Sequence, residues 1–112
     1  MATTRDYIEF VMECMEAAHT GLDLWYRPMF GEYCIYSGEK PLLLVCDNTP
    51  FVKVIECVAE VLSGAESREP FPGAKGHVVL DVEDTALLRE VLLLLDLHKP
   101  MPKPRKRRKS KC

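Results

Sequence analysis

The chain has 112 residues, 47% of them hydrophobic, and a formal net charge of −2 that conceals a split: residues 1–98 hold 7 Lys/Arg against 17 Asp/Glu, whereas residues 99–112, KPMPKPRKRRKSKC, hold 8 Lys/Arg and no acid. This length is one domain with a tail, residues 1–98 and 99–112, and the apolar content supplies a core that needs no metal or disulfide. The longest apolar runs, Leu42–Cys46 and Val91–Leu95, fall far short of the roughly 20 residues that a membrane span needs.

The opening MATTRDYIEF carries an early Asp and Glu and does not read as a signal peptide, so a cytoplasmic protein is expected. Residues 4–19 predict an amphipathic helix. Tyr7, Ile8, Val11, Met15 and Ala18 recur at helical spacing, and Glu9, Glu13 and Glu16 lie largely elsewhere. Thr3 or Thr4 can cap it, Asp6 suits its positive end, and Gly21 suits the residue just past its end. Residues 24–54 predict strands: Leu24–Phe30, a turn at Gly31, Glu32–Tyr36, a turn over residues 37–40, Leu42–Cys46 behind Pro41, a turn over residues 47–50, and Phe51–Val54. Such close spacing means an antiparallel meander, and Leu42–Cys46 looks buried on both faces. Ile55–Leu62 returns to helical spacing. Residues 63–76 form a long loop, His77–Val82 a fifth strand, and Glu83 to about His98 a final helix with Asp84 as cap. Val91–Leu95 is apolar almost all round, which means burial on several sides or cover for a partner. The expected class is α+β: a two-layer domain with an antiparallel sheet of about five strands packed against helices, followed by a disordered basic C-terminal tail.

No catalytic constellation competes with the charge split. Cys14, Cys34, Cys46, Cys57 and Cys112 include no C-x-x-C pair, and four of them sit inside apolar patterns, as small buried hydrophobes do. His19, His77 and His98 lack metal-ligand spacing, so no cofactor is expected. The serines lie in turns or in the tail, without a nucleophile elbow. Gly73-Ala-Lys-Gly76 is only faintly phosphate-loop-like and reads as a turn.

The tail admits three readings. Lys103, Arg105, Lys106, Arg107, Arg108 and Lys109 can hold nucleic-acid phosphates, each contact releasing a counterion. With no aromatic residue the tail itself cannot stack on bases or read sequence. It can instead be merely solubilising, or fold back on the acidic body. The run Pro104–Lys109 also fits a nuclear-import address by composition.

Tyr26-Arg-Pro-Met-Phe-Gly-Glu-Tyr-Cys-Ile-Tyr36 resembles the signature of the TfoX N-terminal domain family, also called Sxy, and Leu42–Asp47 and Phe51–Val54 match its strand pattern. The resemblance covers about residues 4–97. It implies a two-layer α/β fold with helices against an antiparallel sheet, and a bacterial source, which disfavours nuclear import. The named members of that family regulate competence genes together with a cyclic-AMP-responsive activator, and carry a second, helical domain after this one. Here the basic tail stands in that place, so the resemblance implies no more than a transcription-related, non-enzymatic role. It supplies no catalytic residues. The matching positions Arg27, Met29, Phe30, Gly31 and Tyr33 read as structural, with Arg27 able to stack on Trp25 or Tyr33 or to pair with Glu32.

The expectation is therefore a small regulatory or adaptor protein with a nucleic-acid-binding tail. A protein partner or self-association is expected through the last helix or the sheet face. The alternative is a protein-interaction domain, homodimeric or not, with a solubilising tail.

Overall fold

Thr4 opens the first helix. Its hydroxyl accepts the Tyr7 N–H at 3.2 Å, and Asp6 lies in the first turn, where the helix dipole favours an acid. In the computed structural model, which describes residues 3–98, this helix, α1, runs Arg5–Ala17 and buries Ile8, Val11 and Met15. Its expected end at Gly21 is corrected. The left-handed residue after the C-cap Ala18 is His19, at φ 51. Arg89 reaches across to this end from the last helix. Its Nη1 donates to Ala18 O at 3.0 Å and to His19 O, so these end carbonyls are satisfied without a glycine.

Five strands follow: β1 (Leu24–Met29), β2 (Glu32–Ser37), β3 (Lys40–Cys46), β4 (Thr49–Lys53) and β5 (His77–Val79). They form one antiparallel sheet in the order β1-β2-β3-β4-β5. Phe30-Gly31 and Asp47-Asn48 join their strands as two-residue turns with all four residues at positive φ. That geometry matches the right-handed twist of the flanking strands. Gly31, at φ 81, occupies a position that costs a side chain about 1–2 kcal/mol.

Several boundaries differ from the expected ones. Phe30 belongs to the turn and Ser37 to β2. Thr49 and Pro50 lie within β4 instead of a turn. Pro50 is acceptable because its missing N–H falls opposite Leu80, just past the end of β5, and Leu80 N–H still donates to Pro50 O at 3.0 Å. There β5 stops, at Val79 instead of Val82, although Leu80 and Val82 stay buried. The expected helix over residues 55–62 is a single turn, α2 (Glu56–Ala59), and Ile55 at its N-cap offers no side-chain acceptor. Residues 63–76 contain no helix or named strand; Ser67 makes an isolated bridge to Val78.

The last helix, α3 (Thr85–His98), is capped as expected by Asp84, whose Oδ1 accepts the Leu87 N–H at 3.2 Å. It buries Leu88, Val91, Leu92 and Leu95 and packs against α1, α2 and β3, which accounts for most of its apolar girth within this domain. The element order is α-β-β-β-β-α-β-α, an α+β fold with helices on one face of a five-stranded antiparallel sheet. Ile35, Leu43, Val45, Val52 and Val78 supply the sheet side of the core. A register shift between Ile35 and Tyr36 leaves Leu42 unpaired, and Leu42 joins Leu43 in the core; on the other side of β3, Cys46 is buried and Leu44 half-buried.

Candidate nucleic-acid interface

The six basic residues Lys103, Arg105, Lys106, Arg107, Arg108 and Lys109 lie outside the described residues, as does the expected disorder of residues 99–112. What the structure does define is how the last helix is held before the described residues end. Near the end of α3, Asp96 is tied twice to the β2–β3 hairpin. The buried Ser37 hydroxyl donates to Asp96 Oδ1 at 2.5 Å, and Lys40 Nζ donates to Asp96 O at 2.5 Å. The described chain ends two residues later, at His98.

The opposite face of the sheet at this hairpin carries an aromatic pair. Trp25 on β1 stands opposite Tyr36 on β2, with ring centroids 4.5 Å apart and planes at 13°, and Trp25 Nε1 donates to Gly38 O at 2.7 Å. The indole is therefore fixed on both its ring and its polar edge, yet remains 39% exposed. β1 is the sheet's edge strand, so no strand stands on the other side of that ring.

Arg27 follows Trp25 by two residues and shares its sheet face. It is exposed, and none of its three expected partners holds it. Trp25 stacks on Tyr36; Tyr33 meets Tyr26 edge-on at 5.3 Å; and Glu32 Oε1 accepts the Thr3 hydroxyl at 2.6 Å and Asp47 N–H at 3.1 Å. Gly31 shapes the hairpin turn, Met29 is 36% exposed, and Phe30, at the tip, is 98% exposed. The hydrogen bond from Gly38 N to Asp23 O fixes the alternation along β1. It turns the missing N–H of Pro28 outward, where it blunts the free edge.

Charge is distributed unevenly over the two layers. Glu9, Glu13 and Glu16 rim an open cleft of about 610 Å³ between α1 and the chain entering β1. Alternation places Arg27 and Lys53 on the sheet face away from the helices, where Glu32 is the one strand acid. The cation-bearing face is thus the one that carries Trp25.

The remaining candidates offer little chemistry. Burial, followed by the negative field of Glu32, pushes the Cys46 thiol up, and burial, followed by Glu83, does the same to Cys14. Such thiols are poor nucleophiles at neutral pH. Among the described residues no three His, Cys, Asp or Glu side chains gather as a metal site. Gly73-Ala-Lys-Gly76 is a loop with Gly73 and Gly76 at positive φ, and a strand, not a helix, follows it. No helix of the described residues is long and apolar enough to cross a membrane.

The fold defines a class, a two-layer α+β domain built on a five-stranded antiparallel meander. No protein-family model matches the chain. It is similar to an uncharacterized 12.7 kDa protein in the trpE 5′ region of Spirochaeta aurantia, with 35% identity over 108 residues, covering 95% of this chain and 91% of that one. The chain belongs to the same family as that spirochaete protein.

Proposed function

We propose that this chain is a small, cytoplasmic, non-enzymatic regulatory or adaptor protein of the TfoX/Sxy N-terminal type, whose basic tail holds nucleic acid. The observation that carries this reading is the charge split: 8 Lys/Arg and no acid in residues 99–112, against an acidic body. The tail supplies backbone contact through Lys103, Arg105, Lys106, Arg107, Arg108 and Lys109, and that contact is independent of sequence. The resemblance of the β1–β2 hairpin to the TfoX motif supports a transcription-related role.

The direct test is binding of a labelled random-sequence duplex at low salt to the full chain and to a full chain with those six residues changed to glutamine. The reading predicts capture by the first and loss in the second. Equal binding by both would overturn it.

A second reading has its own observation. Phe30, Met29 and Trp25 place three exposed large hydrophobics on one hairpin, as a protein-docking surface does. Under that reading a partner is held in a salt-insensitive way, and Phe30→Ser abolishes its capture while nucleic acid is never retained.

A further inference from the structure

From the stacked pair of Trp25 and Tyr36, with Arg27 on the same sheet face, we infer that the domain itself contributes a base-stacking platform, so that the preferred ligand is single-stranded nucleic acid. This rests on the nucleic-acid reading above and deepens it.

Two observations converge. The indole of Trp25 is held rigid by its stack on Tyr36 and by its bond to Gly38 O, and its free face turns to the open edge of the sheet. A ring already immobilised loses little entropy when a base rests on it. Arg27, without an ionic or hydrogen-bonded partner among the described residues, lies about 6.6 Å further along the same face. That distance suits a guanidinium meeting the phosphate next to a stacked base.

The ligand class follows from the chemistry. A duplex keeps its base faces inside its own stack and offers the tail only phosphates. A single strand offers phosphates to the tail and Arg27 and a free base face to Trp25. Deoxyribose and ribose strands share both features, and no group at the platform distinguishes the 2′-hydroxyl.

Trp25 is the chain's one tryptophan, so its emission reports stacking directly. The experiment titrates the full chain with a mixed-sequence single-stranded 16-mer, as DNA and as RNA, and with the matching duplex, following both indole emission and the anisotropy of a labelled strand. Either single strand is expected to quench Trp25, while the duplex binds without quenching. Trp25→Leu is expected to weaken single-strand binding roughly tenfold, with duplex binding changed less than about twofold, and Trp25→Phe to restore most of the loss. Arg27→Gln should weaken single strands several-fold. Binding of both forms with unchanged emission would overturn the platform and leave the tail reading standing. Binding of neither form would remove both. The emission result on the unsubstituted chain decides the matter even if Trp25→Leu fails to fold.

Discussion

Removal of the Asp96 carboxylate should loosen the hold of α3 on the β2–β3 hairpin. The Ser37 hydroxyl is 6% exposed and donates to Asp96 Oδ1 at 2.5 Å, a length typical of a hydroxyl on an ionised carboxylate. In Asp96→Ala the hydroxyl loses that acceptor while buried, a loss of about 1–3 kcal/mol. Asp96 is itself only half-buried, so water partly relieves the loss and about 1.5 kcal/mol is expected. The bond from Lys40 Nζ to Asp96 O involves the main chain and survives the change. Asp96→Asn keeps an oxygen acceptor without the charge and should cost about half as much. For a domain of about 100 residues, 1.5 kcal/mol lowers Tm by about 6–12 °C. Urea unfolding followed by circular dichroism, on Ser37→Ala, Asp96→Ala and the double variant, measures the coupling. A coupling of about 1 kcal/mol is expected. Losses that simply add, to within about 0.3 kcal/mol, would show that the bond holds nothing together.

Arg89→Ala should cost about 1–2 kcal/mol, because the Ala18 and His19 carbonyls lose a charged donor at the negative end of α1; thermal unfolding reads this. Leu92→Ala, at a fully buried site on α3, should cost about 2–5 kcal/mol by urea titration. Phe30→Asn should leave stability unchanged or raise it by about 0.5 kcal/mol, since Phe30 sits in solvent at φ 53, a conformation asparagine accepts more readily. Cys14, Cys46 and Tyr7 all bind their protons more tightly in the folded state, chiefly through burial. Their contribution to stability is therefore complete below the ordinary thiol value of 9.0 and is lost as pH rises through the elevated folded values. Urea midpoints at pH 7, 9 and 10 should fall only at the alkaline end.

Most of the architecture was legible because local chemistry and packing agree along this chain. Thr4 and Asp84 sit where caps are needed, and the stripe Ile8, Val11 and Met15 buries as its spacing requires. The boundaries that moved were decided by partners remote in sequence. The helix end shifted to His19, where Arg89, 70 residues away, supplies the missing donor. Pro50 entered a strand because β5 ends beside it, which composition cannot reveal. The candidate site was less legible. Arg27 lies next to aromatics in sequence, but cross-strand register, not adjacency, gave Trp25 to Tyr36 and Tyr33 to Tyr26 and left the guanidinium alone. The link from Asp96 to Ser37 spans 59 residues and carries no local signal; a carboxylate interrupting the apolar run of α3 is its one trace. The basic tail, by contrast, is plain in composition alone.

The account's central claim is tested most directly by the salt dependence of single-strand binding to the full chain. If Lys103, Arg105, Lys106, Arg107, Arg108 and Lys109 each displace a counterion, log K should fall with log [salt] at a slope of about −4, given roughly −0.7 per phosphate contact on a single strand. The variant with all six changed to glutamine should then show a slope shallower than about −1. A slope near zero for the full chain, or the same steep slope in both proteins, would contradict the claim that this tail is what holds nucleic acid.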